Sequence, residues 1–227
     1  GNDANGGTDL TEVNLAATDQ STDTCTNNFA TFNLLNALGG NIAYSEGSLI
    51  ITPGTSDYKT CISTIPVSSG KWYAEFKAVS GHNGSTDVSV GIVGADDHVA
   101  STGSKAMSAY TNAFSYGSGG LVKQYNASTI RTDATYTNDN IIGIAVDMDN
   151  LKLYWSKNGT FQNSGDPTSG SSKTGALVTW TPSDQEYAFG LSPYNGSVTE
   201  VNFGNPTFTI SSGNSDGNGF GQFEYQP

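Results

Sequence analysis

Charge, cysteine and long apolar runs are all scarce in this chain. Only 13% of its 227 residues are charged, and it has two cysteines, Cys25 and Cys61. Two cysteines are too few to form a zinc cage by themselves. The chain contains no run of about 18 apolar residues, so the sequence predicts no membrane-spanning helix. It also contains no long amphipathic pattern, which disfavours a helical fold.

Basic residues are few, because 9 lysines and arginines stand against 21 aspartates and glutamates, for a net charge of −12. A duplex nucleic acid or an anionic membrane surface repels such a chain, so we expect neither nucleic-acid binding nor membrane insertion. The charge fits solubility, since a large net charge keeps particles apart. The net charge is equally consistent with a high-salt environment, where salt screens the repulsion between like charges. The sequence leaves both explanations open.

Short apolar runs, alternating or continuous, fill much of the chain. Residues 141–147 are almost continuously apolar, which predicts a central strand buried on both faces. Residues 41–51 predict two short strands around a turn at Gly47. Alternating patterns predict further strands at residues 71–79, 87–93, 151–155, 187–191 and 198–203. Asn-Gly pairs at 158–159 and 195–196 suit tight hairpin turns, so the chain is predicted to be an all-β sandwich or barrel.

No arrangement of side chains typical of a catalytic site is found. A retaining glycosidase on a β-sandwich needs two carboxylates on one face of a strand. Glu186 is the one glutamate with an acidic residue at such a spacing, Asp184, and this pair is interpreted as a solvated turn. The two histidines, His82 and His98, lie in loop-like contexts and are expected to be exposed. We therefore expect that the protein is not an enzyme and has no cofactor.

Residues 94–126 have the composition of a recognition surface. Tyr110, Tyr116 and Tyr125 stand among Gly, Ser and Ala, and tyrosines in this setting supply rigid amphipathic contacts. The alternative is that some of these tyrosines are core strand residues, and this holds above all for Tyr116 and Tyr125. Trp180 lies between two threonines and beside a proline, so it is a further candidate for a surface contact.

The run Asp96-Asp97-His98 supplies the polar candidates of the same region. A loop can wrap oxygen ligands around calcium, so Asp96 and Asp97 are the candidate ligands for this ion, and a solvated charged loop is the alternative. Residues 147–150 also offer two carboxylates. They do not fit the calcium-binding loop template and are interpreted as a turn at the end of a strand.

The two cysteines allow two interpretations. A disulfide between Cys25 and Cys61 would tie the N-terminal segment to the first strands of the core, and an extracellular location would favour it. Two buried free thiols, which behave as small hydrophobic groups, are the alternative. The residues alone leave both open.

Six short motifs between residues 70 and 208 resemble, in the same order, those of SPRY domains. They are GKWYAEF at 70–76, VGIV at 90–93, SYG at 115–117 followed by YN at 125–126, IIGIAVDMDN at 141–150, YWSKNG at 154–159 and VNFGNPTF at 201–208. The order and number of the motifs make the resemblance specific. The chain departs from the family pattern at Leu151, where SPRY domains usually have a glycine, so the hairpin there is expected to differ.

The resemblance implies a bent, two-sheet antiparallel β-sandwich of the jelly-roll type, similar to concanavalin-like folds. It divides the chain into an extended lead-in at residues 1–40, a SPRY-like sandwich at 41–210 and a C-terminal extension at 211–227. The tryptophans Trp72 and Trp155 stand in strand motifs and are expected in the core. SPRY domains bind peptides or protein surfaces through loops at one end of the sandwich, which implies a binding domain. The aromatic residues of the extension are available to dock on the core.

Residues 26–33, TNNFATFN, resemble a segment of structural proteins of marine bacteriophages. This likeness implies a non-catalytic domain on the surface of a virion, in a tail fibre, spike or capsid decoration. Its partners would be a host-surface glycan or other virion proteins, and it would form homo-oligomers within an assembly. Those phage proteins usually carry other residues in place of the two cysteines, which favours their pairing here. A polysaccharide-active enzyme on the same fold, a glycosidase or lyase, and a purely structural assembly module are the alternatives.

Overall fold

The computed structural model describes residues 28–36, 41–54, 58–85, 88–100, 105–177 and 186–227. Two large antiparallel sheets pack face to face as a sandwich, which confirms the predicted fold class. The strands are β1 Ile42–Ser45, β2 Ile50–Pro53, β3 Cys61–Ile62, β4 Lys71–Ser80, β5 Ser89–Gly94, β6 Ala113–Gly117, β7 Leu121–Gln124, β8 Ser128–Thr132, β9 Ile141–Asp147, β10 Lys152–Lys157, β11 Thr160–Phe161, β12 Tyr187–Ser192, β13 Val198–Asn202, β14 Asn214–Ser215 and β15 Gln222–Phe223.

One sheet has seven strands in the order β1-β2-β13-β4-β9-β10-β11, and the other has six in the order β3-β12-β5-β6-β7-β8. β14 and β15 form a separate two-stranded ribbon. Each strand that the sequence predicted is present, including the pair β1 and β2 around the turn at Gly47. The almost continuously apolar run forms β9, which lies between β4 and β10 and is buried along its whole length.

The core lies between the inner faces of the two sheets. Phe76 and Trp155 from the seven-stranded sheet meet Phe114 and Tyr116 from the six-stranded sheet. The rings of Tyr116 and Trp155 stack with their centroids 5.6 Å apart, a geometry that stabilises by ~1 kcal/mol beyond burial of area. The indole N–H of Trp155 donates to the Oδ2 atom of Asp133 at 2.9 Å, so the largest core side chain has no unsatisfied donor.

The six-stranded sheet is also covered on its outer face. A short helix, α1 (Ala95–Ala100), and a 3-10 turn, Met107–Ala109, lie against it. Met107 and Tyr110 pack there against Val93 of β5, in a small second core. This cover is built from the segment that joins β5 to β6.

The outer face of the seven-stranded sheet is covered by two different segments. The first is the Gly- and Ser-rich insert, described here for residues 163–177, whose Ala176 packs on Ala145 and Tyr154. The second is the C-terminal segment, residues 211–227, whose Phe223 ring lies 5.2 Å from the ring of Tyr73 on β4. Together the two segments shield an outer face on which β9, too, is apolar.

The turn that the sequence predicted at residues 147–150 is present between β9 and β10. The Oδ1 atom of Asp147 accepts hydrogen bonds from the backbone and side chain of Asn150, at 2.9 and 3.2 Å. Leu151 takes the left-handed conformation, with φ of 54°, at the position where the family pattern has a glycine. Within the described part of the chain, no helix has the length and apolar character needed to cross a membrane.

We expect that Gly91→Ala strongly destabilises the sandwich, because β5 and β6 approach closely at this residue. A Cβ atom at Gly91 would lie 1.9 Å from the carbonyl oxygen of Phe114, a backbone atom that cannot turn aside. The substitution should lower the free energy of unfolding by about 3 kcal/mol.

Gly217→Ala is the matched control, because no atom lies within 4 Å of its Cβ position. It should change stability by less than about 0.5 kcal/mol. Urea denaturation of both variants measures the difference, and equal stabilities would show that β5 and β6 do not approach as closely as described.

Candidate functional site

The six polar and aromatic candidates of residues 94–126 do not form one exposed loop. They are Asp96, Asp97 and His98 in α1, Tyr110 after the 3-10 turn, Tyr116 in β6 and Tyr125 after β7. The chain turns back at the end of β5, so that this segment folds onto the sheet. The residues are therefore distributed between a covering layer and the core.

His98 and Tyr110 are fully buried, which corrects the expectation that they are surface residues. The Nε2 atom of His98 lies 3.0 Å from the carbonyl oxygen of Thr60. The His98 and Tyr110 rings stack at 5.4 Å, and the Lys105 ammonium lies 4.4 Å from the Tyr110 centroid. The physical reason is that one side of α1 faces the sheet, and His98 is on that side.

His82 is also buried, although the sequence predicted an exposed loop position. Its Nε2 atom lies 3.1 Å from the carbonyl oxygen of Val198 and 3.2 Å from the hydroxyl of Thr199. Burial lowers the pKa of both His82 and His98 below the ordinary value for histidine.

Tyr116 and Tyr125 are packing residues rather than free surface contacts. Tyr116 is fully buried, and its hydroxyl donates to the carbonyl oxygen of Ala134. Tyr125 is half-buried, and its ring lies 5.2 Å from that of Phe114. The structure thus confirms the alternative that Tyr116 is a core residue.

Asp96 and Asp97 lie in the first turn of α1, where carboxylates interact favourably with the positive end of the helix. Asp96 is exposed, and the Oδ2 atom of Asp97 accepts a hydrogen bond from the backbone of Asn112 at 2.8 Å. Across the described ranges, no group of three acidic, histidine or cysteine side chains is arranged to hold a metal ion. Calcium binding by Asp96 and Asp97 stays a prediction. Trp180 lies outside the described residues, so its role also stays a prediction.

Trp72 is 45% exposed, which corrects its expected place in the core. It lies near the start of β4 and pairs with Val146, so its side chain is on the same face of the sheet as the core residues Ala74 and Phe76, but at the terminus of the strand. Its indole N–H donates to the carbonyl oxygen of Ser69 at 2.6 Å, which fixes the orientation of the ring. The backbone before it is held in turn, because Gly70 N–H donates to the Oδ1 atom of Asp149 at 2.8 Å. The β9–β10 turn therefore positions an exposed tryptophan.

A groove of about 930 Å³ lies over the outer side of the seven-stranded sheet, and Trp72 borders it near the start of β4. The groove opens between the insert and the C-terminal segment, which cover that face from two sides. Its lining residues are Asn28, Phe29, Gly70, Lys71, Trp72, Tyr73, Ala145, Val146, Asp147, Tyr154, Pro167, Thr168, Phe203, Ser215, Asp216, Gly217, Asn218, Phe223, Gln226 and Pro227. A volume of this size is within the range of ligand sites in proteins.

The sheet side of the groove combines aromatic and charged side chains. Tyr73 and Tyr154 flank Ala145 in register on the three central strands. Two residues further along β9, Asp147 lies between Lys71 and Lys152, which occupy the paired positions on β4 and β10. Such a mixture of apolar surface and a few fixed polar groups is typical of binding sites.

The carboxylate of Asp147 is held in its ionised form. Burial, which would raise the pKa of Asp147, is outweighed by the hydrogen bonds from Asn150 and by the charges of Lys71 and Lys152, so the pKa lies below its ordinary value. The groove therefore carries a fixed negative charge beside Lys71, which is exposed.

Two solved structures are similar to this fold. The SPRY domain of human HERC1 has a TM-score of 0.56 and 16% identity, and the match covers 75% of this chain and 96% of that one. A human SPRY domain has a TM-score of 0.55 and 11% identity, and the match covers 76% and 98% of the two chains. The fold is that of a SPRY domain. No protein-family model and no curated protein sequence matches the chain.

The groove of this SPRY sandwich was not predicted from the sequence. Tyr73 and Tyr154 stand at outward positions of strands that were predicted, so the alternation alone would have placed them on the outer face. Trp72 was misassigned because its motif matches a strand of the family, and a motif does not show where a sheet ends. The segments that complete the groove have no periodic pattern, and the sequence signalled only that aromatic residues of the C-terminal extension could dock, as Phe223 and Tyr225 do.

Cys61 is a free, fully buried thiol in the structure, so it forms no disulfide there. This supports the buried-thiol alternative over the predicted pairing with Cys25, which lies outside the described residues. Its Sγ atom lies 3.3 Å from the hydroxyl of Tyr44. Burial raises the pKa of Cys61 to about 12, which keeps the thiol protonated and inert.

We expect that the unfolding free energy falls as the pH drops below about 6.5, the ordinary pKa of histidine. Both buried histidines have lowered pKa values, so the unfolded chain takes up protons before the folded chain does. The stability that the two neutral histidines contribute is fully present above pH 6.5 and is lost as the pH falls towards their pKa values in the folded chain.

Chemical denaturation near pH 7.5 and pH 5.5, on the native chain and on a variant with His82→Gln and His98→Gln, measures this contribution. The native chain should lose more stability than the variant between the two pH values, and carboxyl titrations common to both cancel in the comparison. An equal loss in both proteins would show that the histidines are not buried in neutral form.

A thiol-reactivity assay tests the state of Cys61. In a Cys25→Ser variant, the remaining thiol should not react with Ellman's reagent until denaturant is added, because it is buried and protonated. Rapid reaction in the native variant would show that Cys61 is accessible.

Proposed function

We propose that this chain is a non-catalytic binding domain of a phage virion structural protein, exposed on the particle surface, and that it holds a segment of a partner protein in the groove beside Trp72. The observation that carries this proposal is the groove itself, with its exposed and oriented tryptophan. Partly buried aromatic side chains in a concave site are the usual sources of binding energy. The SPRY fold supports a protein partner over a host-surface glycan.

The chemistry near the groove supports binding rather than catalysis. The one buried glutamate beside it, Glu75, accepts hydrogen bonds from Tyr73, Asn202 and two backbone N–H groups. A carboxylate whose two oxygens are both engaged by the chain is not available as a general acid or base for a ligand. Asp147 is similarly engaged by Asn150.

Trp72→Ala tests the site. Central aromatic contacts of an interface contribute about 2 kcal/mol each to binding. The variant should therefore lose about 2 kcal/mol of binding free energy, which is a roughly thirtyfold weaker Kd. The measurement uses a peptide array that tiles the other proteins of the particle, together with a glycan array. Leu121→Ala on β7 is the matched control, because Leu121 is exposed to a similar degree, 40%, on the other sheet.

Peptides that bind the native chain and the Leu121 variant, but not the Trp72 variant, are the expected result. Glycans that show the same dependence on Trp72 would contradict the choice of a protein partner while keeping the groove. Equal binding by both variants would contradict the groove as the site.

A further inference from the structure

Glu75 holds the C-terminal segment against the sheet. It lies on the outer face of β4 and is fully buried, although it is not among the residues that line the groove. Its Oε1 atom accepts the N–H of Tyr225 at 2.8 Å, and its Oε2 atom accepts the N–H of Glu224 at 3.0 Å. The side-chain amide of Asn202 donates to Oε2 at 3.0 Å, and the Tyr73 hydroxyl donates to Oε1 at 3.3 Å.

Further contacts place the same short stretch of the C-terminal segment. Asn202 donates to the carbonyl oxygen of Gln222 at 2.8 Å, and the Gln222 N–H donates to the carbonyl oxygen of Gly204 at 2.9 Å. The Tyr225 ring lies against Gly159, where a Cβ atom would approach it to 2.5 Å. Docking is therefore concentrated in residues 222–225.

The rest of the segment has few contacts with the sandwich. Residues 211–220 are mostly exposed and include three glycines, Gly213, Gly217 and Gly219. β14 and β15 pair only with each other, over two residues each, and are not part of either large sheet. A small element with few buried contacts opens at a much lower free energy than the core does.

Release of the segment also relieves the free-energy cost of burying the Glu75 carboxylate. All four hydrogen-bond donors that reach this carboxylate are uncharged groups. A buried carboxylate without a cation is costly, and burial accordingly raises the pKa of Glu75, while the N–H groups of Tyr225 and Glu224 oppose the rise. Once the segment leaves, water can hydrate the carboxylate, which offsets part of the contact energy that release gives up.

We propose that docking of the C-terminal segment on Glu75 acts as a switch. With the segment docked, the groove has both of its sides and binds a partner. With the segment released, the groove lacks one side and does not bind. The segment supplies Ser215 to Asn218, Phe223, Gln226 and Pro227 to the lining. A ligand that contacts these residues binds only the docked state, so ligand binding and docking stabilise each other by the same factor. This inference rests on the proposed function, since it concerns the regulation of the same groove.

Hydrogen exchange on the intact chain tests docking without any ligand. In Glu75→Gln, an NH2 group replaces one of the two carboxylate oxygens, so one of the two backbone N–H groups loses its acceptor. The amides of residues 222–225 should exchange at least tenfold faster, and radical oxidation of Tyr73, which Phe223 covers, should increase. Glu186→Gln, a substitution of an exposed glutamate directly before β12 of the other sheet, is the control.

The amides of β9 report whether the sandwich remains folded. The exchange rates of the β9 amides should be the same in all variants. If Glu75→Gln also accelerates exchange in β9, the Tyr225→Ala variant is used in place of Glu75→Gln, because the Tyr225 ring is outside the groove lining. Fast exchange at 222–225 with unchanged β9 supports the switch. Unchanged protection of residues 222–225 in a folded Glu75 or Tyr225 variant overturns it.

The coupling is measured with the tightest-binding virion peptide from the array. Hydrogen exchange gives the factor by which each variant reduces the population of the docked state. The peptide's Kd should weaken by the same factor in Glu75→Gln and Tyr225→Ala, although neither residue lines the groove. An unchanged Kd with fast exchange contradicts the coupling. If no array peptide binds even the native chain, the proposed function fails, whereas the exchange data still decide whether the segment docks on Glu75.

Discussion

The central constraint on this molecule is that β9 is apolar on both faces. Its inner side chains, such as Ile144 and Val146, belong to the core between the sheets, and Gly143 and Ala145 face outwards. A sheet whose central strand is apolar on both faces is stabilised by cover on both sides. The insert and the C-terminal segment provide that cover, and the groove exists because two separate segments, rather than one continuous layer, lie over the outer face.

The sequence predicts the parts of the fold that depend on periodicity. Alternation and continuous apolar runs located β4, β9 and β12, because burial in a sheet imposes a period of two or a fully apolar strand. The predictions for Trp72 and His98 were wrong for the opposite reason. Whether a residue lies near the end of a sheet, or on the side of a short helix that faces one, depends on contacts distant in sequence, and neither composition nor motif encodes them. The groove depends on non-periodic segments and was therefore not foreseen.

The same physical arrangement explains how this sandwich can present a binding site on the outer face of a sheet. The rigid side of the groove is the sheet, where Tyr73, Tyr154 and Trp72 are held by strand pairing and by the turn at Asp149. The other side is a short segment whose docking depends on one buried carboxylate, Glu75. A site with one fixed and one releasable side combines pre-organised contacts, which reduce the entropic cost of binding, with a means of control.

Photo-crosslinking within the assembled particle tests most directly whether the groove is the partner site. A photoreactive residue is placed at Asn218, an exposed residue of the groove lining, or at Val99, which is 65% exposed on α1 beside the region that the sequence favoured. We predict that irradiation links the chain to a partner protein from Asn218 and not from Val99. Crosslinks from Val99 alone would contradict the account.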